Sequence, residues 1–452
     1  MLRKRFRVMM AMAILGAVLA GCSDAGTVQR TSEETLKEQT DEGTTDQDVQ
    51  SDAGEEEEEQ SGESTKVDNV MMEEIKVDPM ELKDSYQRAA FFADWVYAQK
   101  KENTLVSPLS LNLALGLAAE GASGETAKEL YQYLGREDYA DYVKQYLDFA
   151  EGLATEKGER QFNENYSFHY EIANSIWVNQ KNRLIEDYRK AMEEKFRAEV
   201  APADFEGDAS GSVKKINSWC EEKTHGMIPK IVEVQNIKPQ MKAILINSLY
   251  FESPWVEKWG KTEHEFTGLS GKKVTQEMLS GKGDLYYEND QAIAFGKSYY
   301  NGFQFIGILP KAEGEFSVLD LDLKGLLETK STDYTVMALM PKLNYETSAE
   351  AVEEILMAQG LVTPFDSGSA QFDQMIEGDE LHISQIIQKC KIELDENGTK
   401  AAAVTAIMMR ANSIAPMEKK IKEVYLDRPF AYLIYDSVND EIVFVGKVTE
   451  ME

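Results

Sequence analysis

Apolar positions fall into three regimes along the chain. Residues 8–20 are an uninterrupted apolar stretch, residues 23–79 show no apolar periodicity, and from residue 80 onward helix-like and strand-like patterns take over. In 80–100, Tyr86, Ala89, Ala90, Ala93, Val96 and Tyr97 recur at helical spacing. Ser107-Pro108 opens a second predicted helix, with Ser at a natural cap and an apolar surface on all sides, so it reads as buried. Gly121, Ser123 and Gly124 break it, and 125–134 and 137–155 predict two more helices. Helices are also predicted at 186–196, 211–224 and 349–359. Strands are predicted at 170–178, 242–251, 285–287, 292–295, 303–309, 335–340, 383–394, 430–435 and 441–448. The continuous apolar run of 242–251 marks a central strand. Helices first and strands later imply one α+β domain over 80–452, with large antiparallel or mixed sheets.

Charge sharpens the first two regimes. Arg3, Lys4, Arg5 and Arg7 precede the apolar stretch, which is 13 residues long and ends in Leu19-Ala20-Gly21-Cys22. That order resembles a bacterial lipoprotein signal, with residues 1–21 removed and Cys22 carrying lipid. The resemblance implies a cell-envelope protein, lipid-anchored through Cys22 to a bacterial membrane and facing outside. Residues 23–79 hold 19 acids against 4 bases, including five consecutive Glu at 55–59. Residues 22–79 are therefore expected to be the lipidated Cys and an acidic, disordered tether. The whole chain carries -32, which repels phosphate backbones and excludes broad nucleic-acid binding. Three Cys cannot make a disulfide framework, and four His leave little room for a His-rich metal site, so no metal or cofactor is expected. Cys220 and Cys390 are expected to be buried free thiols. A Cys nucleophile paired with His169, His225 or His382 has no local motif behind it, and His264 is equally isolated.

Several segments in one order carry a family resemblance. They are 103–110 (NTLVSPLS), 121–126 (GASGET), 173–178 (ANSIWV), 216–229 (INSWCEEKTHGMIP), 246–251 (INSLYF) with Trp255, 340–342 (MPK), 427–430 (DRPF) and 444–448 (FVGKV). Together they resemble the serpin family over about residues 82–449. The resemblance implies helices packed around three β-sheets and an exposed reactive-centre loop, here about 396–428. It also implies a non-catalytic, monomeric suicide substrate that traps a serine protease as a covalent 1:1 acyl-enzyme complex. The cut loop then inserts as a strand into the central sheet.

Insertion makes demands on side chains that the loop meets. Strand alternation puts Thr399, Ala401, Ala403, Thr405, Ile407 and Met409 on one face, and none of them is charged. Lys400 falls on the other face, Gly398 permits a bend at the base, and Glu396 opens the hinge. No Pro occurs between Glu396 and Ala415. Family spacing counted from Glu396 puts the attacked bond at Asn412–Ser413. Arg410 would suit a trypsin-like pocket, Ala411 an elastase-like one, and Met408 or Met409 a chymotrypsin-like or elastase-like one. The resemblance further implies a gating network at Ser107, Asn247, Gln388 and Trp255, with Gln388 where many relatives carry His. Other readings are a non-inhibitory binding or chaperone-like surface protein, an inhibitor of cysteine proteases, and a surface hydrolase, for which no nucleophile–base pair is evident.

Overall fold

Asp84 accepts the Gln87 N–H and caps the first helix, α1 (Ser85–Lys100), which starts inside the span that periodicity predicts. The computed structural model describes residues 82, 84–155, 168–378, 381–399 and 419–452. The other helices are α2 (Pro108–Glu120), α3 (Gly124–Leu134), α4 (Tyr139–Thr155), α5 (Glu186–Lys195), α6 (Ala209–Lys223), α7 (Leu323–Glu328) and α8 (Val352–Ala358). The strands are β1 (Thr104–Val106), β2 (His169–Asn179), β3 (Glu199–Ala203), β4 (Ala243–Pro254), β5 (Gly260–Thr267), β6 (Lys273–Gly283), β7 (Leu285–Glu288) and β8 (Ala292–Ser298). They continue as β9 (Phe303–Pro310), β10 (Tyr334–Pro341), β11 (Leu343–Ala349), β12 (Gln388–Leu394), β13 (Gly398–Thr399), β14 (Lys420–Tyr425), β15 (Phe430–Asp436) and β16 (Glu441–Val448).

These strands make three sheets, in the orders β11-β12-β13-β4-β2-β3, β14-β10-β6-β5 and β1-β16-β15-β9-β8-β7. The α+β class with helices around three sheets is therefore correct. Differences from the pattern lie where polarity hides a strand. β5, with a largely exposed face, and β6 and β14 are absent from the sequence reading. The predicted strand 383–394 is shorter, because 383–387 has no regular structure and only Gln388–Leu394 pairs.

The first of these sheets is sandwiched. Along β4, Leu245, Leu249 and Phe251 pack into the cluster that holds α2, whereas Ile244, Ile246 and Tyr250 pack into the one that holds α6. That division is the period-2 alternation of a strand covered on both faces. Helix α2 begins where Ser107 accepts the Ser110 N–H and Pro108 takes the first turn. Leu109, Leu111, Leu113, Leu115 and Leu117 on it are all buried. Helix α6 contributes Val213, Ile216 and Cys220. Asn217 fastens the chain after it, accepting the Ile231 and Val232 N–H groups and donating to the Val232 carbonyl.

Candidate functional site: the hinge and the slot in the main sheet

After β12 the chain turns tightly and re-enters the sheet. The Asp395 N–H donates to the Gly398 carbonyl at 2.9 Å, and Asn397 N–H to the Asp395 side chain at 2.7 Å. The end of β4 grips this turn: Trp255 N–H donates to Asn397 O at 2.9 Å, its indole Nε1 to Asp395 O at 2.9 Å, and Trp259 N–H to Glu396 O at 3.2 Å. Trp255 itself stacks on Tyr299, with ring centroids 4.1 Å apart. Gly398 has φ +156°, and a Cβ there would overlap the Ser253 carbonyl and the Pro254 Cα. Its role is thus to let two backbones approach, rather than only to bend the loop.

Glu396 sits in a cage of charge. Its carboxylate lies 3.0 Å from Lys342 and 3.3 Å from Lys261, and both lysines also reach Glu277, at 2.7 and 3.1 Å. Its own backbone N–H and then, after a partial offset by burial, Lys342 and Lys261 hold the carboxyl down at about 2. Thr399 is 3% exposed, and its hydroxyl is 2.6 Å from that of Tyr299. Tyr299, Lys261 and Lys342 were not singled out by the sequence; they come from separate strands or loops and share no local motif with the hinge.

Strand β13 pairs antiparallel with both neighbours: Thr399 with Leu394 of β12, and Thr399 with Ser253 of β4. β12 and β4 therefore stand two strand spacings apart at this level, about 9.5 Å. Below Thr399, among the described residues, no strand pairs with Ala243–Glu252 on that edge or with Gln388–Glu393 on the facing edge. A cavity of about 470 Å³ occupies the interval. Leu111 and Ala114 of α2 lie on one side of it, and Thr224, Met227 and Ile231, after α6, also line it.

Polar groups sit midway down this slot. Gln388 grips Ser107 twice: its Oε1 accepts the Ser107 N–H at 2.9 Å and its Nε2 donates to the Ser107 carbonyl at 2.8 Å. The Ser107 hydroxyl donates to Val443 O at 2.7 Å. Asn247 does not join that pair. Its Nδ2 donates to Asn174 Oδ1 at 2.8 Å, and its own Oδ1 has no hydrogen-bond partner among the described residues. Cys220 and Cys390 are buried free thiols and both line the slot, with burial pushing them up to about 11 and about 12. Cys22, Lys400, Ala401, Ala403, Thr405, Met408, Met409, Arg410, Ala411, Asn412 and Ser413 lie outside the described residues.

Among the described residues, β4 and β12 thus flank an unpaired interval, with the hinge seated between them at one end. The chain belongs to the serpin family: the family model described as "Serpin (serine protease inhibitor)" matches residues 89–451. It is 30% identical over 360 residues to an uncharacterized serpin-like protein of Thermococcus kodakarensis, covering 78% of this chain and 81% of that one. The thermophilic serpin tengpin in its native state superposes with a TM-score of 0.67 at 29% identity, over 82% of this chain and 95% of that chain. Tengpin in its latent state gives a TM-score of 0.64 at 26% identity, over 82% and 99%. The family is one of inhibitors and not of catalysts, and this chain is accordingly not an enzyme.

Proposed function

We propose that the chain is a suicide-substrate inhibitor of serine proteases whose loop, once cut, fills the slot between β4 and β12. The observation that carries this is the hinge hydrogen-bonded to both edges of an otherwise unpaired interval. Continuing its register down the loop brings Ala401 between Phe251 and Ile392, and Ala403 between Leu249 and Cys390. Thr405 comes between Asn247 and Gln388, where its hydroxyl can donate to the unpartnered Asn247 Oδ1. Lys400 comes between Glu252 and Glu393, on the face covered by α6. Small or neutral groups thus meet the α2 side, and the one cation meets two carboxylates.

In this mechanism the protease serine attacks a loop carbonyl, the peptide C–N bond breaks, and the new amine leaves on the C-terminal fragment. Insertion then competes with hydrolysis of the ester. The attacked bond is Asn412–Ser413 by family spacing, with Arg410, Ala411, Met409 and Met408 as alternatives. The protein is further proposed to be a monomer held to a bacterial membrane by lipid on Cys22, through the acidic tether of 22–79. The basic residues, apolar stretch and Leu-Ala-Gly-Cys order of 3–22 support this.

The test is a panel of trypsin-, elastase- and chymotrypsin-like serine proteases with a papain-like cysteine protease. The reading expects an SDS-stable 1:1 complex with at least one serine protease and a released fragment whose mass places the cut at 408–413. Cleavage by every serine protease without any complex would contradict it and favour a non-inhibitory binding protein.

A further inference from the structure

On the face of the main sheet that carries α6, two segments bring three metal-ligating groups together. His169 and Glu171 are two residues apart on β2, so they share one face. His225 follows α6 at φ +50°, ahead of Gly226 at φ +80°. The left-handed pair turns the chain back over the sheet. His169 Nδ1 lies 3.0 Å from one Glu171 carboxylate oxygen, and His225 Nε2 lies 3.0 Å from the other. The donor atoms of all three residues fall within 4.8 Å of one another. A tetrahedral ion with metal–ligand bonds of about 2.0–2.1 Å needs donors about 3.3 Å apart, so modest side-chain rotation closes the set.

The surroundings favour a cation. Glu252 is directly across from His169 in the β2–β4 register, is buried, and accepts the Tyr250 hydroxyl at 2.7 Å. Tyr250 is across from Glu171, and its ring centroid is 4.7 Å from that of His225. Two imidazoles and a carboxylate are a borderline-soft set, suited to zinc and poorly matched to magnesium or calcium, which take oxygen ligands.

We propose that His169, Glu171 and His225 bind one zinc-class divalent ion, which pins the segment after α6 to β2. That segment matters because Thr224, just before His225, and Met227 and Ile231, a few residues after it, line the slot. A strand entering the slot must displace those side chains, and a tie at His225 opposes the displacement. The metal site stands independently of the protease-inhibitor reading; only the effect on strand entry depends on it.

The experiment is calorimetric titration of the full chain with zinc chloride after EDTA treatment and dialysis, with magnesium chloride as control. One equivalent of zinc should bind, and magnesium should not. His169→Asn, Glu171→Gln and His225→Asn should each weaken zinc binding at least tenfold while melting at the wild-type temperature in EDTA. His225 is exposed, so at minimum that variant keeps the fold and keeps the test decisive. Hydrogen exchange of peptides covering 224–232 should slow with zinc in wild type and not in His225→Asn. Absence of binding, or binding untouched by all three substitutions, overturns the site. Zinc bound without slower exchange over 224–232 overturns the pin.

Discussion

At the level of single residues, the hinge is held by one carboxylate and one hydroxyl. Glu396 has its pKa lowered in the fold, so its contribution to stability is present above about pH 4.5 and is lost as pH falls toward about 2. Glu396→Gln should therefore lower the melting temperature of the uncut protein at pH 7 by an amount corresponding to about 1 kcal/mol. That difference should shrink as pH is taken from 5 to 2.5, as thermal unfolding of both proteins across that range would reveal. Thr399 is buried against Tyr299, so a guanidinium in its place would be taken out of water. Because Thr399 is seated before any cut, Thr399→Arg should destabilise the uncut protein by several kcal/mol, whereas Ala403→Arg meets that face only on insertion and should slow it, about tenfold for each ~1.4 kcal/mol on the barrier. The moles of inhibitor consumed per mole of protease silenced should rise well above one for Ala403→Arg, while Lys400→Arg, which keeps the charge, should leave the ratio near one.

At the level of elements, the slot is made by what β4 and β12 lack and by what α2 presents. Ala114 on α2 is half-buried and lines the interval, whereas its neighbours Leu113 and Leu115 are fully covered. Ala114→Leu should fill space that is open before insertion and occupied afterwards. The uncut protein should keep its melting temperature to within about 1 kcal/mol in stability, while the cut protein should lose more, since overpacking costs about 1–3 kcal/mol. Melting of both forms measures the contrast. The sequence makes α2 and β4 legible because both are continuously apolar, and burial on both faces requires it. β5, β6 and β14 escape notice because water on one side leaves Lys261, Glu263, Lys273, Glu277 and Lys422 among their residues. β13 is two residues long and has no periodicity to read. Of the hinge, Glu396, Gly398 and Thr399 could be singled out through the family resemblance. The pairing of Glu396 with Lys261 and Lys342 could not, since only the fold brings β5 and the turn between β10 and β11 to the same corner. The same holds for His225, which lies 54 residues from its Glu171 partner, so only the fold brings the two together.

For the whole molecule, the proposed function requires the main sheet to take up a further strand between β4 and β12 once the loop is cut. Under that proposal the uncut form is held by a kinetic barrier and not by being the lowest state. The most direct measurement is the melting temperature of the protein before and after a single cut between residues 408 and 413. Under the proposed mechanism, the cut chain gains a central strand that pairs on two edges and buries its apolar face. On this account its melting temperature rises by more than about 10 °C, corresponding to several kcal/mol for a domain of this size. Equal melting temperatures for the cut and uncut protein would contradict it.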